Sequence, residues 1–146
     1  MRSLGDLLDE SSIVLDARAD SREDAIRQAG ALLVTTGAVG AGYIEAMLER
    51  EESVSTYVGE GVAVPHGTLD SKQTVERDAL VLLRFADAVD WNGDEVTMVI
   101  GIAARGRGYI GLLSRIAALL LDPVNAQSLR EATTASAVYA ILGKNH

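Results

Sequence analysis

The run Thr97-Met98-Val99-Ile100-Gly101-Ile102-Ala103 is apolar on both faces, and this limits the fold more than any other feature of the chain. A strand with one face in water alternates apolar and polar side chains, so this run belongs to an interior strand covered above and below. The cover must come from helices elsewhere in the sequence, and helical patterns lie on both sides of it. Ser21-Arg22-Glu23-Asp24 has the form of a capping box, with Ile26, Ala29 and Leu33 following at helical spacing and Gly37 as the stop. A second helix is predicted over residues 41–51, burying Ile44, Met47 and Leu48. Arg50 falls in its last turn, where positive charge suits the helix dipole.

Strands are predicted at residues 12–17, 62–65 and 79–85, and Asn92-Gly93 marks a turn between Val89-Asp90-Trp91 and residues 96–103. Residues 1–10 form a lead-in with Leu4, Leu7 and Leu8 on one side. After the apolar strand comes a helix with Ile110, Leu113, Ala117 and Leu120 in register. Asp122-Pro123 fits an N-cap followed by proline at the first helical position, opening a short helix to about residue 131. A last helix over residues 134–142 is stopped by Gly143. Strands interleaved with helices predict an α/β fold with a single mixed sheet and helices packed on both faces. Residues 1–146 read as one domain, since a chain of this length buries about 68–70% of its unfolded surface.

Residues 56–68 hold the only histidine before the terminal one. Val62, Ala63 and Val64 lead into Pro65, which removes a backbone donor and holds Val64 extended, so regular pairing should stop there. Gly67 is expected to give the backbone after His66 a conformation that other residues reach poorly. His66 thereby sits at a stiff strand end, and it is the one interior side chain whose charge ordinarily changes near neutral pH. A lone histidine serves equally well as a satisfied structural residue, and the residues by themselves leave both readings open.

Other chemistry is poorly supported. The chain has no cysteine, which excludes disulfides and thiolate sites, and two histidines make a transition-metal site improbable. No Gly-x-Ser-x-Gly elbow is present. A net charge of −8 suits a basic protein partner and not the phosphate backbone of nucleic acid. No apolar run approaches the roughly 20 residues of a membrane span, and the N-terminus lacks a secretory core, so no membrane insertion and a cytoplasmic location are expected. Glu51-Glu52, at a helix end, read as a solvated face. Arg105-Gly106-Arg107-Gly108 joins a strand to a helix, where backbone donors and two guanidinium groups favour an anion, but without the ending of a P-loop.

The stretch Gly59-Glu60-Gly61-Val62-Ala63-Val64-Pro65-His66-Gly67-Thr68 closely resembles the active-site signature of the enzyme IIA domains of the bacterial phosphoenolpyruvate-dependent sugar phosphotransferase system, mannitol/fructose class. Arg50-Glu51 upstream and Val99-Ile100-Gly101-Ile102-Ala103-Ala104-Arg105 downstream extend the resemblance along essentially the whole chain. It implies a phosphocarrier without a cofactor, in which His66 attacks the phosphohistidine of HPr and passes the phosphoryl group to a cysteine of an enzyme IIB. The IIB/IIC transporter component is then the acceptor side. Arg50 matches the family's active-site arginine and is assigned to the phosphoryl oxygens. Glu60 is assigned to orienting Arg50 or the imidazole, and Arg105 and Arg107 to adding positive potential. Arg50 and His66 are expected to face one shallow cleft with Tyr109 beside them.

One departure stands out. Where mannitol and fructose members carry a second histidine, this chain has Gly106-Arg107-Gly108-Tyr109-Ile110, with Tyr109 in its place. A tyrosine can donate a hydrogen bond to a phosphoryl oxygen but carries no positive charge near neutral pH. The mannitol-like transport role is favoured. A nitrogen-type regulatory relative and a non-catalytic binding module that kept the fold remain as alternatives.

Overall fold

The computed structural model describes residues 3–143, apart from the side chains of Lys72 and Gln73; Met1, Arg2 and the terminal His146 lie outside them. The lead-in is a short 3-10 turn, Leu4–Leu7, closed by a reciprocal capping box between Ser3 and Asp6 that turns Leu4 and Leu7 inward. Strand β1 spans Leu8–Ala17, and helices α1 and α2 follow at Arg22–Thr35 and Gly42–Ser53. Strands β2 (Tyr57–Gly59) and β3 (Val62–Ala63) form a small hairpin. After a 3-10 turn at Asp70–Thr74, β4 (Ala79–Trp91) and β5 (Asp94–Ala103) make the long central hairpin. Helices α3 (Gly108–Leu121), α4 (Pro123–Glu131) and α5 (Ala135–Leu142) complete the chain.

The five strands form one mixed sheet in the order β1-β4-β5-β3-β2. β4 and β5 are antiparallel, while β1 runs parallel to β4 and β3 parallel to β5. Asn92 (φ 58°) and Gly93 (φ 101°) both adopt the left-handed conformation that a two-residue hairpin turn requires. Where sequence predicts two segments, residues 79–85 and 89–91, the chain is one strand with a register shift between Arg84 and Val89.

Side chains from the sheet alternate between two cores. Val81, Leu83 and Phe85 pack with Ile26, Ala29, Leu33 and Met47 of α1 and α2 on one face. Leu80, Leu82, Met98, Ile100 and Ile102 pack with Ile116, Leu129 and Val138 of α3–α5 on the other. Helices on both faces of a mixed sheet are the architecture expected from the sequence, and the burial of both faces of β5 is its cause.

Two helix faces differ from expectation. α2 buries Tyr43, Met47 and Glu51, with Ile44 and Leu48 only half-buried. α3 buries Leu112, Ile116 and Leu120, leaving Ile110 and Ala117 exposed. α3 is apolar on most sides, so more than one stripe satisfies helical spacing and packing on the sheet chooses between them.

Candidate active site

β3 and β5 run side by side, pairing Val62 with Met98 and Ala63 with Val99. Pro65 supplies no N–H, but its carbonyl still accepts from Ile102 N–H at 3.0 Å, and His66 bridges Ile102. The chain then leaves the sheet. β3 continues toward the 3-10 turn that touches α2, whereas β5 continues into α3 on the opposite face. Divergence of two parallel neighbours in this way opens a site at their carboxyl ends.

His66 is 3% exposed. Its Nδ1 lies 2.9 Å from the Val64 carbonyl oxygen. A carbonyl only accepts, so Nδ1 carries the proton and the lone pair of the neutral ring is at Nε2. Val64 is itself held, its N–H donating to Thr56 O at 3.0 Å. The imidazole stacks on the Tyr109 ring from the first turn of α3, with centroids 5.4 Å apart and planes at 27°. The structure thus brings His66 and Tyr109 together, as sequence predicts.

Tyr43 was not among the sequence-predicted site residues. Its buried hydroxyl accepts from Gly67 N–H at 2.9 Å and donates to Ile102 O at 2.9 Å. Gly67 has no left-handed backbone, which corrects the sequence-based explanation for it. Its lack of a side chain has another cause: a Cβ there would lie 2.3 Å from Ser71 Oγ and 2.6 Å from Tyr43 Cε1. Burial pushes the Tyr43 hydroxyl from 10 up to about 12, with the Gly67 N–H offsetting part of the rise. Because the folded value is the higher one, this contribution to stability is whole below pH 10 and is lost as pH rises toward 12. Alkaline titration of phenolate absorbance should show a late step from Tyr43, and Tyr43→Phe should remove it.

Glu51 overturns its reading as part of a solvated face. Glu52 is exposed, but Glu51 is 3% exposed. Its Oε2 accepts from Thr56 N–H at 2.7 Å and Trp91 Nε1–H at 3.1 Å, and its Oε1 accepts from the Thr56 hydroxyl at 2.5 Å. It therefore ties the end of α2 to the segment entering β2 and to the end of β4. Thr56, so fixed, is the residue whose carbonyl holds Val64.

Arg50 is half-buried in the last turn of α2, and its guanidinium donates to Val54 O at 2.7 Å. Among the described residues no hydrogen bond joins it to His66. It follows Tyr43 by two helical turns, about 10 Å along the axis and on nearly the same stripe of α2. Glu60 does not orient Arg50 or the imidazole. It lies at the tip of the β2–β3 hairpin with φ 57°, its carboxylate 3.6 Å from Arg130 of α4, whose guanidinium also donates to Glu60 O. The hairpin turns the side chain outward, away from the strand end where His66 stands. Arg105 and Arg107 are exposed at the entry to α3, whose N-cap residue, Arg107, makes no side-chain capping hydrogen bond. Arg105 is anchored by its backbone N–H on Asp78.

The family model described as phosphoenolpyruvate-dependent sugar phosphotransferase system, EIIA 2, matches residues 6–145. The chain belongs to this family of phosphotransferase components. The mannitol-specific phosphotransferase enzyme IIA component of Halalkalibacterium halodurans is 41% identical over 138 residues, covering 94% of this chain and 95% of the relative. The enzyme IIAMTL in a complex with phosphorylated enzyme IIBMTL from Escherichia coli superposes with a TM-score of 0.85 at 33% identity, covering 93% and 98% of the two chains. The nitrogen regulatory protein IIA-Ntr from Neisseria meningitidis gives 0.84 at 28% identity, covering 94% and 97%. Among the described residues no single helix of this EIIA chain is long and apolar enough to cross a membrane.

Proposed function

We propose that this EIIA chain is a cytoplasmic phosphocarrier that takes a phosphoryl group from phospho-HPr on Nε2 of His66 and passes it to a cysteine of an enzyme IIB. The IIB then serves uptake of mannitol or a related sugar alcohol through its IIC partner. The observation that carries this reading is the Val64 carbonyl on Nδ1, which leaves the Nε2 lone pair as the nucleophile. As the Nε2–P bond forms, the P–N bond to the donor's imidazole breaks and that ring leaves with the bonding pair. Phosphorylated His66 gains positive character, and its Nδ1–H then makes a stronger, charge-assisted bond to Val64. In the second transfer a thiolate attacks phosphorus and the Nε2–P bond breaks, returning neutral His66.

Around the reacting nitrogen, the proposed roles follow from placement. Burial of the ring keeps water from the phosphoramidate between transfers. Tyr109 restrains the imidazole by stacking. Arg105, Arg107 and the start of α3 supply positive potential toward the phosphoryl oxygens. Arg50 reaches those oxygens by exchanging its Val54 carbonyl for them, a pairing that suits the guanidinium fork. Arg50→Ala should slow transfer roughly a hundredfold, and Arg50→Lys should recover only part, read as single-turnover rates from charged HPr.

The deciding experiment supplies phosphoenolpyruvate, enzyme I and HPr, follows the intact mass of the chain, and then adds a mannitol-type or fructose-type IIB. An added acid-labile phosphoryl group that moves to the mannitol-type IIB is the expected result. No added phosphoryl group, with HPr shown to be charged, would leave a binding module. Phosphorylation without transfer to any IIB would favour the regulatory role that the name of the Neisseria relative carries.

A further inference from the structure

Tyr43 occupies an unusual position for a core tyrosine. In a continued parallel ladder, the residue after the bridged one donates to the carbonyl of the bridged partner. Here that pair is Gly67 N–H and Ile102 C=O, which the His66–Ile102 bridge brings together, and the Tyr43 hydroxyl makes one 2.9 Å hydrogen bond to each. The hydroxyl therefore ties the two segments to each other at the last bridge, just beyond His66. One segment carries His66, and the other continues through Ala103 and Ala104 to Tyr109. The ring edge of Tyr43 presses on the backbone at Gly67, where no side chain would fit. A phenylalanine would fill the same space, so the packing by itself does not call for a hydroxyl.

We propose that Tyr43 is a positioning residue for His66: its hydroxyl sets the spacing of the strand ends and so the stacking of His66 on Tyr109 from which transfer proceeds. The kinetic part rests on the phosphocarrier reading, while the geometric part stands without it. The hydroxyl is the right group for the task because one oxygen both accepts from an amide and donates to a carbonyl. A phenol is protonated throughout the neutral range, so the hydroxyl can serve in both directions there.

Tyr43→Phe keeps the ring and removes only the bridge, and two readouts judge it. Nuclear Overhauser contacts between the His66 and Tyr109 rings should weaken. Single-turnover transfer from charged HPr should fall roughly ten- to a hundredfold, with the half-saturating donor concentration unchanged. A ring-fluorinated tyrosine at position 43, which keeps the hydroxyl, should restore both. Wild-type ring contacts and wild-type transfer in Tyr43→Phe, with only a lower melting temperature, would overturn the proposal. If wild type itself takes no phosphoryl group, the phosphocarrier reading fails and the ring contacts decide this inference alone. Should Tyr43→Phe not fold, polyfluorinated tyrosines bring ionisation of the hydroxyl into an accessible pH range. A phenolate cannot donate to Ile102, so the ring contacts should be lost as it forms, and contacts that persist would refute the positioning role.

Discussion

His66→Ala takes up no phosphoryl group from charged HPr, while wild type is labelled stoichiometrically under the same conditions: that is the largest functional effect expected of any single substitution here. The expected loss is at least about 10⁴-fold, because His66 is the only imidazole among the described residues. Tyr109 stacks on His66, and a phenol hydroxyl is a poor nucleophile near neutral pH. His146 is retained in the variant and acts as an internal control for adventitious histidine labelling. The fold should survive, since the Pro65–Ile102 hydrogen bond and the Tyr43 bridge do not involve the imidazole. Intact mass with acid lability reads the first effect, and circular dichroism reads the second. Labelling of His66→Ala at the wild-type rate would place the phosphoryl group elsewhere and remove the basis of the proposed function.

Glu51→Ala is expected to have the largest effect on stability. It leaves three buried donors without their acceptor, namely Thr56 N–H, the Thr56 hydroxyl and Trp91 Nε1–H. Each buried donor left unsatisfied costs about 1–3 kcal/mol, and local relaxation around the shortened side chain lowers the sum, so a loss of about 3–5 kcal/mol is expected. Removing the desolvation cost of the carboxylate offsets too little of this to change the sign. For a chain of this length the melting temperature should drop by roughly 10 °C. Glu52→Ala, one residue along at an exposed position, should stay within about 0.5 kcal/mol. Urea unfolding of both variants makes the comparison, and equal effects would mean that the carboxylate network contributes nothing. Because Thr56 O holds Val64, Glu51→Ala should also loosen the carbonyl that fixes the His66 tautomer.

The two expectations illustrate what could be read from residues and what could not. The position of His66 was legible because the motif around it is contiguous, although pairing does not stop at Pro65 as expected but runs one bridge further, to His66 and Ile102. Two capped helix starts were legible for the same kind of reason: Ser21 and Asp122 each accept from a backbone N–H two or three residues on. Glu51 and Tyr43 were not. Each is a polar residue on a helix whose solvent-facing and buried sides are distinguished only by what packs against them. Glu60 failed for the opposite reason: it adjoins the histidine's strand in sequence, yet the hairpin carries it to Arg130, 70 residues away.

By itself, then, the sequence determined the α/β layering, the strand end that presents His66 and the family to which the chain belongs. Apolar runs, caps and motif spacing are local signals, and they survive without knowledge of distant partners. Only the tertiary structure decided that Tyr43 bridges Gly67 and Ile102, that Glu51 is buried on Thr56 and Trp91, and that α3 turns Leu112 and Ile116 to the sheet instead of Ile110 and Ala117. Those outcomes depend on which buried donors and apolar faces meet across 24 to 59 residues of intervening chain, and no local pattern encodes that meeting.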